Sequence, residues 1–87
     1  METNPSYYNL PARIQLDRIS SKIIGIRKLV KGRIVQKDAE KILEIARQII
    51  SVAPELEVVL ICTKNICSKS IRLLEENKIG IQYVEVN

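Results

Sequence analysis

The chain contains 87 residues with a mass of 9.9 kDa, which is enough for one small domain. Hydrophobic residues make up 46% and charged residues 28%, a balance typical of a folded globular domain and not of a disordered segment. The sequence contains no His, Trp or Phe. Without imidazole, Ser-His and Cys-His nucleophile pairs are excluded, as are metal sites that need a histidine ligand.

Positive charge is concentrated in one third of the chain. Residues 13–41 hold nine basic and three acidic side chains, a net charge of +6, whereas residues 42–87 hold five basic and six acidic ones, a net charge of −1. Such a local excess is the electrostatic footprint of a protein that binds a polyanion. The alternative interpretation is that these Lys and Arg side chains only keep the outer face of a small sheet soluble.

The two cysteines and the N-terminal residues indicate the compartment. Cys62 and Cys67 are too few for a disulfide framework, and their spacing does not match a C-x-x-C redox pair. We expect both to be small apolar residues near a strand end and a helix start, with a local disulfide as the alternative. Residues 1–13 contain no apolar signal-peptide core, and no apolar run has the length of a membrane span. We therefore expect a cytoplasmic protein that has no membrane partner.

The N-terminal part of the chain predicts an arm followed by a hairpin. Residues 1–11 are polar, contain two prolines and are predicted to form an extended arm before a single α/β domain over residues 12–87. Packing of the arm on the domain or on a partner through Tyr7, Tyr8 and Leu10 is the alternative. Alternating polarity over residues 12–19 predicts a half-buried strand, and the β-branched run 22–30 predicts a second. The short polar turn between them makes the pair an antiparallel hairpin. Gly25 in the second strand indicates a bulge or a close backbone approach.

Two further patterns predict a helix and a central strand. Apolar residues recur at helical spacing from residue 39 to residue 53, and Pro54 marks the end of the predicted helix. Five consecutive apolar residues at 58–62 predict a parallel strand covered on both sides. A short helix through Asn77, with Asn65 or Ser68 as its N-cap, is predicted to follow this strand.

A last strand over residues 81–86 completes a right-handed βαβ unit with the strand at 58–62. The predicted fold class is therefore α/β, with a single-layer mixed sheet and helices packed on it. The predicted order is β-β-α-β-α-β, with an antiparallel N-terminal hairpin and a parallel C-terminal βαβ unit. A chain this short has marginal stability alone, so a homodimer stays an alternative to a monomer.

Three short sequence segments occur in a fixed order along these predicted elements. They are Lys31-Gly32-Arg33 after the hairpin, Lys37-Asp38-Ala39 at the helix start, and the apolar strand 58–62. This order resembles the core of the PD-(D/E)XK nuclease superfamily, with archaeal DNA-repair endonucleases and Holliday-junction resolvases the most similar. The resemblance covers residues 12–87 and implies that the second strand and the loop after it are turned toward a phosphodiester backbone.

The catalytic residues of that family are not matched. Family members hold Mg²⁺ with an Asp and an acid-x-Lys triplet, because metal-assisted hydrolysis needs convergent carboxylates. With Gly32 and Arg33 placed on the family's Gly-Arg pair, the triplet falls on Lys28-Leu29-Val30. No acidic residue lies between Asp17 and Asp38. We therefore expect no catalytic residue, no metal and no cofactor, with residual metal-dependent cleavage as the minor alternative.

In this resemblance, basic side chains stand at positions where family members have carboxylates. We therefore expect these positions to bind phosphate instead of a metal ion. We predict a protein that binds nucleic acid, DNA above RNA, through its backbone and without reading sequence. The alternative is a small interaction or regulatory subunit, either homodimeric or the partner of an active nuclease. A small RNA-binding α/β sandwich is a further alternative, which the opening hairpin disfavours because such proteins begin with a helix. The candidate nucleic-acid-binding residues are Arg18, Lys22, Arg27, Lys28, Lys31, Arg33 and Lys37.

Overall fold

The computed structural model describes residues 1–85 as one mixed sheet with two α-helices. After a 3₁₀ helix at Pro5–Tyr8, the elements are β1 (Gln15–Arg18), β2 (Ile23–Lys28), α1 (Gln36–Val52), β3 (Glu57–Cys62), α2 (Ser68–Glu76) and β4 (Gly80–Tyr83). The strands lie in the order β1-β2-β3-β4, with β1 antiparallel to β2 and the other neighbouring pairs parallel. This confirms the predicted α/β class, the order of elements and the strand directions.

Both α-helices lie on the same face of the sheet. Helix α1 packs on β3, α2 packs on β4, and the two helices contact each other. Right-handed crossovers between successive parallel strands place both helices on one side when the strand order runs in one direction. The prediction that β3 is covered on both sides is therefore wrong. Within residues 1–85 the helices cover one face, and the core between sheet and helices includes Ile24, Ile26, Ile42, Ile49, Leu60 and Leu74.

On the open face, side chains of the sheet itself pack over Gly25 of β2. A Cβ atom at Gly25 would lie 2.5 Å from Cδ1 of Ile61 and 3.0 Å from Cδ1 of Ile19, so both side chains lie across the glycine. Ile61 is consequently only 6% exposed. The pairing of β1 with β2 is continuous through Gly25, so of its two predicted roles the close approach is correct and the bulge is wrong.

We expect Gly25→Ala to destabilise the protein by about 1–2 kcal/mol, because the new methyl group overlaps Ile61 in a packed region. Ile61→Val removes the overlapping Cδ1 atom, so the double variant should lose less stability than the sum of the two single variants. Urea unfolding of the three variants measures this coupling. Strictly additive losses would contradict the overlap.

The ends of the elements differ from the predicted ends. Helix α1 begins at Gln36, one residue before the predicted start at Lys37, and Asp38 Oδ2 stabilises its first turn by accepting a hydrogen bond from Val35 N at 3.0 Å. The cap of α2 is Cys67, not the predicted Asn65 or Ser68. Strands β1, β2 and β4 are each shorter than predicted. The last predicted strand also included Val86, which lies outside the described residues.

The N-terminal segment is not the predicted extended arm, because Pro5–Tyr8 form a 3₁₀ helix. The Tyr8 side chain is 1% exposed, and its hydroxyl donates a hydrogen bond to the carbonyl oxygen of Glu2 at 2.6 Å. Gln48 Nε2 of α1 donates to the carbonyl oxygen of Tyr8 at 2.9 Å. Burial of an aromatic ring together with these hydrogen bonds outweighs the tendency of a terminus to fray.

None of the helices within residues 1–85 is long and apolar enough to cross a lipid bilayer.

Candidate nucleic-acid interface

The loops that lead into the two α-helices lie side by side at the carboxyl ends of β2 and β3. Ile34 N donates a hydrogen bond to Asn65 O at 2.9 Å, and Cys67 N donates to Ile34 O at 2.9 Å, which forms a short parallel bridge between Ile34 and Ile66. Both isoleucine side chains are buried. Because a helix follows each loop, the amino ends of α1 and α2 lie at the same edge of the sheet. We call residues 31–37 and 63–69 the carboxyl edge.

The carboxyl edge carries five basic and no acidic side chains. All five basic residues are exposed, and the one ion pair found within residues 1–85 lies elsewhere, between Arg27 and Asp17. The amino ends of helices add partial positive charge to the same edge. The carboxyl edge is therefore suited to attract anions. Its basic residues are Lys31, Arg33, Lys37, Lys64 and Lys69.

Three of the seven predicted binding residues belong to this edge, namely Lys31, Arg33 and Lys37. Arg18 and Lys22 do not, because Arg18 ends β1 and Lys22 directly precedes β2. A strand of the length of β2 spans roughly 20 Å, so these two side chains lie at the far end of the hairpin. The structure therefore does not bring the predicted residues together in one patch.

Arg27 and Lys28 are neighbours on β2, so their side chains lie on opposite faces of the sheet. Arg27 is on the open face, where its Nε donates a hydrogen bond to Asp17 Oδ2 at 2.7 Å and its guanidinium forms an ion pair with the same carboxylate. Asp17 therefore offsets the positive charge of Arg27. Lys28 is half-buried on the helix face, beside α1. Within residues 1–85, no three His, Cys, Asp or Glu side chains form a cluster that could hold a metal ion.

Sequence reasoning missed Lys64 and Lys69. Both lie outside the basic segment 13–41, and only the fold brings their loop beside Lys31 and Arg33. The two loops are also joined by a hydrogen bond from Asn65 Nδ2 to Lys31 O at 3.5 Å. The predicted parallel topology was the signal that could have indicated this proximity, because loops that follow neighbouring parallel strands meet at one edge of a sheet.

Cys67, which lies in the carboxyl edge, has a thiol whose pKa is lowered. Its Sγ accepts a hydrogen bond from Ser70 N at 3.4 Å and lies 2.9 Å from Ser70 Oγ. These hydrogen bonds from Ser70 lower the pKa of the Cys67 thiol, and the charge of Arg33 lowers it further. Burial instead raises the pKa of the Cys62 thiol at the end of β3. Both thiols are free, so the alternative of a local disulfide is not realised.

We expect iodoacetamide to alkylate Cys67 much faster than Cys62 at neutral pH, because the thiolate is the nucleophile and Cys62 is buried. Since the pKa of Cys67 is lowered, its alkylation should become half-maximal at a lower pH than that of an ordinary thiol, and Ser70→Ala should move this midpoint upward. Mass spectrometry of tryptic peptides measures both rates. Ser68→Ala, at an exposed position of the same helix, is the control. A midpoint that Ser70→Ala leaves unchanged would contradict this account of the thiol.

Comparison with known proteins finds no family model, no curated protein and no solved structure that matches this chain.

Proposed function

We propose that the protein binds the phosphate backbone of duplex nucleic acid, DNA above RNA, through the carboxyl edge and without cleaving it. The observation that supports this proposal is the bridge between Ile34 and Ile66, which joins two basic loops and two helix amino ends into one surface. Phosphate is the anion that both features favour. The proposal extends the resemblance to a nuclease core whose catalytic carboxylates are absent, and it assigns the protein to the cytoplasm.

The two kinds of basic side chain have different roles in this proposal. The four lysines of the carboxyl edge act as point charges that follow the backbone, whereas the planar guanidinium of Arg33 donates two hydrogen bonds to a single phosphate. These contacts release counterions from the nucleic acid and position the protein without reading base edges. Binding is therefore expected to be independent of sequence and sensitive to salt.

Fluorescence anisotropy with a labelled duplex of mixed sequence tests this function. Five phosphate contacts predict that log K falls with log salt with a slope of about −4 to −5, which is a loss of roughly 500-fold between about 50 and 200 mM salt. Absence of binding at the lowest salt, or affinity that salt does not change, would contradict the proposal. The duplex should also stay intact with Mg²⁺ or Mn²⁺. Asp17 is the one acidic residue of the segment 12–30 and so the candidate for the first metal-binding Asp of a nuclease core. Cleavage that is lost in Asp17→Ala would show that the protein is an enzyme.

A second candidate function is that of a self-associating or partner subunit, and the open face of the sheet favours it. Ile19 is 36% exposed there and lies with Ile61 over Gly25, and no described element covers these side chains. A homodimer formed through this face would leave both carboxyl edges free. Sedimentation equilibrium tests self-association through this face, because a monomer at micromolar concentration excludes a stable homodimer.

A further inference from the structure

A cavity of about 590 Å³ lies between the N-terminal segment, the β1–β2 hairpin and α1. It forms because α1 packs on β3 and α2 packs on β4, so the helices are displaced toward one edge of the sheet. The N-terminal segment contacts α1 and contributes the outer wall through residues 9–11. A volume of this size is typical of sites for small molecules.

The cavity has an apolar floor and a charged wall. Ile26 and Ile42 are buried in the floor, and Ile14 and Ile45 beside them are half-buried. Apart from Arg27, whose side chain lies on the open face with Asp17, the wall contains three cationic and two acidic side chains. The cationic side chains are Arg13, Lys28 and Lys41, and the acidic ones are Asp38 and Glu44.

The cations of this wall are available to a ligand. The one ion pair among residues 1–85 joins Arg27 to Asp17, so Arg13, Lys28 and Lys41 have no ion-pair partner in the part of the chain that the structure describes. Asp38 is already engaged, because its Oδ2 accepts the hydrogen bond from Val35 N. Lys28 is half-buried and lines the cavity, so its ammonium group can pair with an anion that binds there.

We infer that this cavity binds a small amphipathic organic anion, with a phosphate or carboxylate group against Lys28 and an apolar body over the isoleucine floor. Arg13 and Lys41, which are both exposed, supply further contacts to the anionic group. The site contains no residue of the carboxyl edge, so it is independent of the proposed binding of nucleic acid.

Isothermal titration calorimetry with monomeric n-octyl phosphate tests the site. We expect binding by the full chain that is at least about tenfold tighter than that of n-octyl glucoside or inorganic phosphate, which lack the charge and the apolar body respectively. Lys28→Gln should weaken the binding of n-octyl phosphate about tenfold, whereas Lys78→Gln, at an exposed position outside the cavity, should not change it. Thermal unfolding of both variants establishes that they are folded.

Three results would overturn the inference: no heat at millimolar n-octyl phosphate, equal affinity for the phosphate and the glucoside, or equal weakening by Lys28→Gln and Lys78→Gln. Sedimentation with phosphatidylglycerol vesicles separates a free ligand from a lipid headgroup of the same chemistry. A protein that stays in the supernatant supports a free small molecule. Sedimentation that Lys28→Gln abolishes would overturn that assignment in favour of a membrane surface.

Discussion

Reversal of three charges at the carboxyl edge, with Lys31→Glu, Arg33→Glu and Lys64→Glu, should abolish the binding of duplex DNA. The change removes three of the five exposed cations of this edge and places carboxylates opposite phosphates. We expect the affinity at low salt to fall by at least about 100-fold, because three charge-assisted contacts become repulsive. Anisotropy with the labelled duplex measures the loss.

A matched control separates the local effect from net charge. Lys22→Glu, Arg47→Glu and Lys78→Glu also reverse three positive charges, so both triple variants fall from the formal net charge of +4 by the same amount. Lys22 precedes β2 at the hairpin turn, and Arg47 and Lys78 line a groove near the amino end of β3, away from the carboxyl edge. The control should lose little affinity. An equal loss in both variants would mean that net charge, not the carboxyl edge, controls binding.

Tyr8→Ala should cause a large loss of stability, about 3–5 kcal/mol in the free energy of unfolding. The Tyr8 ring is 1% exposed and belongs to the hydrophobic core, so its removal leaves a cavity between the N-terminal segment and α1. A domain of this size has a free energy of unfolding of about 5–15 kcal/mol, so the loss is a large part of the total. Urea unfolding followed by circular dichroism measures the change.

Two further variants show whether burial of the Tyr8 ring is the cause. Tyr8→Phe removes only the hydrogen bond to the Glu2 carbonyl oxygen and should cost about 1 kcal/mol. Tyr7, whose ring lies edge-on to Tyr8 with the ring centroids 5.0 Å apart, is 58% exposed, so Tyr7→Ala should cost much less than Tyr8→Ala. If Tyr7→Ala and Tyr8→Ala have equal small effects, the N-terminal segment is not packed in solution as described.

The fold was predictable because its main elements carry strong hydrophobic patterns. The helical stripe of α1 and the apolar run of β3 each indicate one type of element, and the helix between β3 and β4 indicates a parallel crossover. The covering of β3 was mispredicted for a physical reason. Its apolar run predicts cover on both sides, but Gly25 leaves space on the open face that Ile61 fills from the neighbouring strand.

The candidate site was only partly predictable, because the distribution of charge along the sequence does not show where each side chain points. Arg27 and Lys28 are adjacent in the sequence, yet the alternation of a strand places one beside Asp17 and the other beside α1. Lys64 joins the carboxyl edge only because Ile34 and Ile66 bridge the two loops. The packing of Tyr8 on the domain was only an alternative to a free arm, because it depends on the distant side chain of Gln48.

The most direct test of the proposed interface is a map of amide chemical-shift changes when the ¹⁵N-labelled protein is titrated with a short duplex at low salt. We predict that the largest changes fall on residues 31–37 and 63–69, including the amides of Ile34 and Cys67 that join the two loops. The amides of residues 19–22, at the hairpin turn, should change little. Largest changes at the hairpin turn or on the open face of the sheet would contradict the assignment of the carboxyl edge as the nucleic-acid interface.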